Sequence, residues 1–144
     1  MLGNDIVDLQ LAATQSNWRR KGYLEKIFTE KEQNLIASAS NKDQMVWLLW
    51  SMKEAAYKVV NRKSLERFYS PKKFACDLSG NNGLVTFENR TFYTVSEIKA
   101  QFIHTIAVQN RQSFANIQTT FLPNKVDYLA DFNTASITHV LAKD

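Results

Sequence analysis

A run of twenty residues, Gln44 to Lys63, constrains the fold more than any other part of the chain. Met45, Leu48, Leu49, Met52, Ala55, Ala56, Val59 and Val60 recur in it at helical spacing. The spacing predicts a helix from about Asp43 to Arg62. Asp43 then sits at the positive end of the helix dipole, with Arg62 and Lys63 at the negative end. So long an apolar stripe has to be covered by other elements. Trp47, Trp50, Glu54, Lys58 and Arg62 form a second stripe beside it. Glu54 is the only acid in the twenty residues. A carboxylate in such surroundings needs a cation to offset its lost hydration. Lys53, Lys58 and a bound metal ion are the candidates.

The flanking segments read as smaller elements. Leu2 to Leu9 is expected to be a strand, favoured by Ile6 and Val7 and led in by Gly3 and Asn4. Aspartate is depleted in strands, so Asp5 inside this one asks for a reason. Asp8, three residues on, falls on the opposite face of a regular strand. Ser16 or Asn17 is the candidate cap of a helix running to about Lys26. Thr29 and Glu32 have the spacing of a capping box, and that helix should end between Ser38 and Asn41. After Pro71 the chain becomes rich in Val, Ile, Thr, Phe and Tyr. Strands are expected over Lys73 to Leu78, Leu84 to Glu88, Arg90 to Ser96 and Ile98 to Gln109. The turn residues Ser79 to Gly83 and Glu88-Asn89-Arg90 join the first three as a meander. Thr134 is a candidate cap for a last helix, Ala135 to Lys143. The expected class is α+β, an antiparallel sheet packed against a long central helix.

Composition narrows the function classes. The chain has 144 residues, which suits one domain. Its 44% apolar and 12% aromatic content excludes a disordered chain. Gln44, Ser51, Lys53 and Glu54 break the best apolar run well short of the ~18 residues of a membrane span. A secretory leader pattern is absent from the first residues. With Cys76 as the single cysteine, a reducing compartment, the cytoplasm, is the expectation. The net charge of +4 and pI of about 9.2 favour anionic partners. No glycine-rich phosphate loop and no Cys/His zinc spacing occurs. His104, in the apolar stretch Phe102 to Thr105, reads first as a hydrogen-bonded core residue, and Cys76 as core.

Asp5 and Glu54 come from distant parts of the chain and could meet at one divalent cation. Magnesium prefers hard oxygen ligands and is often held by one or two carboxylates plus substrate phosphates. Lys58 and Arg62 would then offset phosphate charge from the same helix face. The simpler reading is an exposed Glu54–Lys58 pair, worth about 0.3–0.5 kcal/mol. It leaves Trp50 and the basic stripe unexplained.

These residues resemble a known family. Gly3-Asn4-Asp5-Ile6-Val7-Asp8 resembles the G-x-D-I-V-E/D opening of holo-[acyl-carrier-protein] synthases, and Phe28-Thr29-Glu30-Lys31-Glu32 the F/L-T-x-x-E segment that follows it. Trp50-Ser51-Met52-Lys53-Glu54-Ala55-Ala56-Tyr57-Lys58 is similar to the W-x-x-K-E-A-x-x-K signature of the wider 4'-phosphopantetheinyl transferase superfamily. The likeness spans roughly Leu2 to Lys63. It implies transfer of 4'-phosphopantetheine from coenzyme A to a serine of an acyl or peptidyl carrier protein. It implies Mg²⁺ held by Asp5 and Glu54. Glu54 would also activate the serine, directly or through a metal-bound water. Lys58 matches the lysine on the transferring phosphate, and Lys53 the one before the glutamate. Lys53, Lys58, Arg62 and His104 are thus the expected coenzyme A contacts, and Glu54 and Lys58 the catalytic pair. The acidic carrier of this class suits a basic chain. Short synthases form trimers with sites between subunits, whereas the signature tryptophan leans to the longer two-domain type. Two positions depart from the pattern. Gln10-Leu11-Ala12 stands where the synthases carry an arginine, and Ile103 replaces the serine of an I-S-H-T element.

Two other function classes compete with transfer. A non-catalytic relative would bind coenzyme A or a carrier protein without modifying it. A nucleic-acid-binding domain would show steep salt dependence, but no strand interleaves aromatic and basic residues as the known modules do. Neither nucleic acid nor a membrane is therefore an expected partner.

Overall fold

A computed structural model describes residues 2–64, 70–116, 118–120 and 138–140. The chain forms two compact units, Met1–Gln109 and Asn110–Asp144. In the first, the order is β1 (Leu2–Asp8), α1 (Leu9–Gln15), α2 (Tyr23–Ile27), α3 (Glu30–Ser38), α4 (Lys42–Ser64), a 3-10 turn at Pro71–Lys73, then β2 (Ala75–Ser79), β3 (Asn82–Phe87), β4 (Arg90–Ile98) and β5 (Phe102–Val108). The five strands make one antiparallel sheet, in the order β1-β5-β4-β3-β2. The expected meander is therefore present, and β1 closes against its last strand as an edge.

The core lies between this sheet and α4. Val46, Leu49, Met52, Ala55, Ala56 and Val59 are fully covered, as are Val85, Phe92, Ile103 and Ala107 on the facing strands. Each large apolar side chain so buried contributes about 1.5–3 kcal/mol. Small residues set the approach of β1. A Cβ placed on Gly3 would collide with the carbonyl oxygen of Ala55 and lie 2.8 Å from Cγ2 of Val59. Only glycine lets the strand run this close to the helix backbone. Among the described residues, no helix is long and apolar enough to cross a membrane.

The predicted capping box on α3 is present in both directions. Three local expectations differ. Asp8 ends the strand and caps α1, accepting from the amides of Gln10 and Leu11, so a helix starts where continued strand was expected. The helix expected up to Lys26 is only α2, entered through Gly22 in the left-handed conformation. In the second unit, a 3-10 turn at Arg111–Asn116 is followed by two strands, β6 (Gln118–Thr120) and β7 (Thr138–Val140), paired in parallel. A strand therefore occupies the middle of the helix expected over Ala135 to Lys143. The rest of that segment lies outside the described residues.

Candidate functional site

Strand periodicity decides which residues meet α4. Gly3, Asp5 and Val7 are the buried positions of β1. In the pairing with β5, Asp5 stands opposite Thr105, and Thr105 stands opposite Ser96 on β4. Thr105 shares hydrogen bonds with Ser51 of α4 and, at 2.7 Å, with Ser96. A buried polar row thus runs across the sheet beneath the helix. Ser51, Thr105 and Ser96 are not among the candidate site residues of the sequence. Alternation along β5 points to them, since it puts Thr105 and not His104 on the face of Asp5.

Because β1 is an edge strand, alternate carbonyls on its free side need donors from outside the sheet. Two cations of α4 supply them. Arg62 donates to the carbonyl of Leu2, and Lys58 donates to the carbonyl of Asn4 at 3.0 Å. Two strand residues span about 6.6 Å and four helix residues about 6 Å, so the two steps keep pace. By the same spacing, Glu54 is the next α4 residue along this face. Lys58 also reaches Oδ1 of Asp5 at 3.2 Å, with the carboxylate 9% and the amine 24% exposed. Glu54 is half-buried one turn before Lys58, and side chains at that spacing start about 5–6 Å apart. Asp5 and Lys58 thus form a charged cluster in the groove between β1 and α4, with Glu54 one helical turn before Lys58 on the same helix face. Asp8 is exposed and points the other way, as the strand period required.

Lys53 does not join the cluster, which corrects its expected contact with coenzyme A. Its side chain is 0% exposed. The ammonium donates to the carbonyls of Pro71 at 3.0 Å and Phe74 at 2.6 Å, and lies 2.8 Å from Oε1 of Glu32. Phe28 covers it, with the ring centroid 5.6 Å away. Glu32 is equally buried and also accepts from the amides of Thr29 and Cys76. Two adjacent residues of α4, one helical step apart, therefore face different partners. His104 does not join either. It pairs with Ile6 across β1 and β5, so it occupies the sheet face opposite Asp5, where it is 2% exposed. Burial also pushes the Cys76 thiol well above its ordinary range, which leaves it without nucleophilic character.

Among the described residues, no group of three His, Cys, Asp or Glu side chains is placed to hold a metal ion. Asp5 and Glu54 would offer two hard oxygen ligands. That suits a magnesium ion completing its shell with water and phosphate oxygens, and does not suit a closed zinc site.

The sequence model of the 4'-phosphopantetheinyl transferase superfamily matches residues 1–112. No curated protein sequence matches the chain. Among solved structures, the fold is similar to holo-[acyl-carrier-protein] synthase from Helicobacter pylori in complex with coenzyme A. The TM-score is 0.61 at 18% identity, over 76% of this chain and 100% of that one. The Neisseria meningitidis synthase gives 0.62 at 13% identity, over 76% and 97%. The Bacillus anthracis synthase in complex with coenzyme A (3',5'-ADP) gives 0.58 at 16%, over 74% and 91%.

Proposed function

The chain belongs to the 4'-phosphopantetheinyl transferase superfamily, and from that premise we propose that it moves 4'-phosphopantetheine from coenzyme A to a carrier-protein serine with the help of Mg²⁺. The observation that carries the reading is the meeting of β1 and α4, with Asp5 held by Lys58 one turn from Glu54. Coenzyme A as donor is supported by the relatives solved in complex with it. The serine oxygen attacks the phosphorus that bears the pantetheine arm. The bond from that phosphorus to the bridging oxygen breaks, and adenosine 3',5'-bisphosphate leaves with the electron pair.

Asp5 and Glu54 are the residues that would hold the metal, which when bound neutralises diphosphate charge and favours the in-line displacement. Glu54 takes the serine proton. Lys58 lies beside Asp5, where it would face the same phosphates. Its ammonium stabilises charge that grows on them in the transition state, a contribution that rests on positioning and not on covalent chemistry. Lys53 serves by fixing the helix: its buried bonds to Glu32 and to the Pro71 and Phe74 carbonyls set the rotation of α4 one residue before Glu54.

Mass spectrometry of an apo carrier protein incubated with coenzyme A and Mg²⁺ tests the activity. A mass gain equal to one phosphopantetheine group is expected. No gain across acyl and peptidyl carriers would refute transfer, and coenzyme A binding without a gain would mark a non-catalytic relative. Glu54→Gln should abolish the gain while leaving the circular dichroism spectrum and melting curve close to wild type; unchanged turnover would remove Glu54 from the mechanism.

A further inference from the structure

Three buried hydroxyls beneath α4 come from three different elements: Ser51 from α4, Thr105 from β5 and Ser96 from β4. Their exposures are 0%, 0% and 4%. Ser51 and Thr105 share one hydrogen bond, and Thr105 and Ser96 share a second at 2.7 Å. A hydroxyl in a core is costly unless it is bonded, and alanine or valine would fill the same space without that demand. What a bonded pair supplies, and apolar side chains do not, is direction: it holds at one distance and within a narrow range of angles.

Direction matters at this interface. Met52, Ala55, Ala56 and Val59 make the rest of the buried face of α4 apolar and mostly small. Hydrophobic contact is non-directional, so it presses the helix onto the sheet without fixing how far along it the helix lies. Gly3 has no side chain to key against. Two polar links do fix it. Lys58 ties α4 to Oδ1 of Asp5 at 3.2 Å and to the Asn4 carbonyl at 3.0 Å. Ser51 ties it to Thr105. Asp5 and Thr105 stand directly opposite each other in the pairing of β1 with β5. The two links therefore grip the two members of one cross-strand pair. Ser51 and Lys58 are seven residues apart, about 10.5 Å along the helix axis and within about 20° around it. Glu54 lies on the segment between them. Ser96 completes the row from the other side, opposite Thr105 on β4, and its bond holds a side chain already stiff about its first torsion.

We propose, resting on the transferase reading above, that Ser51, Thr105 and Ser96 are positioning residues for the transfer. Their hydroxyl row sets the axial register of α4 on the β1–β5 pair, and through it the separation of the Glu54 and Asp5 carboxylates. One residue of helix is a rise of about 1.5 Å, so a slip of less than one residue moves Glu54 while Asp5 stays on its strand. Misplacement by about 1 Å is enough to slow a reaction by up to about 100-fold. The row touches neither substrate in this account; it acts only through the helix that carries Glu54 and Lys58.

Ser51→Ala removes the link to the helix and leaves Thr105 its bond to Ser96, so no hydroxyl is stranded and the fold should persist. Thr105→Val removes the central hydroxyl at constant shape, and Thr105→Ser keeps it. Titration with Mn²⁺, followed by electron paramagnetic resonance, reads the placement of the two carboxylates without turnover. Affinity for Mn²⁺ should fall about tenfold in Ser51→Ala and in Thr105→Val, and stay within about twofold of wild type in Thr105→Ser. The double variant Ser51→Ala, Thr105→Val should lose no more than either single one, because the same link is gone. In the two damaged variants kcat should drop about tenfold with the KM for the carrier protein unchanged. Wild-type Mn²⁺ affinity and kcat in folded Ser51→Ala would overturn the proposal. So would additive losses in the double variant, or a Thr105→Ser protein as impaired as Thr105→Val. If wild-type protein neither binds Mn²⁺ nor modifies any carrier, the transferase reading itself falls and takes this one with it.

Discussion

The buried Glu32–Lys53 pair offers the sharpest test of how the site is held. Glu32→Gln keeps the volume of the side chain but removes its charge. It leaves the Lys53 ammonium, 0% exposed, with only the Pro71 and Phe74 carbonyls. The new amide group would also direct N–H donors toward donors, since Thr29, Cys76 and Lys53 all give to Glu32 now. Stranding one partner of a buried pair costs about 3–5 kcal/mol. The two retained carbonyls place this case at the low end, near about 3 kcal/mol, or a melting temperature lower by about 10 °C. Lys53→Met should cost a similar amount, because it strands the carboxylate and two carbonyls. Together the substitutions remove both charges, so the double variant should be well short of the sum, with a coupling of about 2 kcal/mol. Urea unfolding of the four proteins measures this. The exposed pair Lys31–Asp77 serves as the control, and Lys31→Ala should cost less than about 1 kcal/mol. A coupling below about 0.5 kcal/mol would mean that the pair does not hold α4 to α3, and the positioning role given to Lys53 would be wrong.

Gly3→Ala should cost about 3 kcal/mol, since the new methyl meets the Ala55 carbonyl and Val59. It should also lower transfer activity at temperatures where the variant is still folded, because β1 carries Asp5; a melting curve equal to wild type would contradict the close strand–helix approach. Lys58→Ala should weaken coenzyme A binding and cut turnover, and calorimetry showing equal affinity would remove it from the phosphate site. Cys76 should resist thiol reagents in the native protein and react only in denaturant. The direction of its shift also sets a pH dependence. The folded thiol holds its proton at pH values where the unfolded one, near pKa 8.5, has lost it, so stability should fall as pH rises above about 8.5. Cys76→Ala should flatten that alkaline decline, and an unaltered slope would show that other groups cause it.

Local periodicity carried most of the fold. The 3.6-residue repeat from Met45 to Val60, the Thr29–Glu32 capping box and the alternating strands after Pro71 each act within a few residues of chain. A linear reading finds such features because the interactions that stabilise them are themselves near in sequence. The motif spacing likewise singled out Asp5, Glu54 and Lys58, and the structure pairs Lys58 with Asp5 across β1 and α4. It was less informative wherever two segments compete for the same side chain. Lys53 and Lys58 look alike on paper as neighbours of Glu54. Only the arrival of Glu32 from α3, and of the Pro71 and Phe74 carbonyls from the 3-10 turn before β2, turns one inward as a structural cation. His104 and Thr105 are adjacent, yet pairing with β1 assigns them to opposite faces. The start of α1 depended on Asp8 leaving the strand to cap a helix.

By itself, the amino-acid order determined the long helix, the antiparallel meander and the identity of the anionic and cationic groups. Tertiary structure alone decided which of those charges face one another. Ion pairing and burial are set by distances across elements, and those distances exist only after the edge strand has settled against the helix at Gly3.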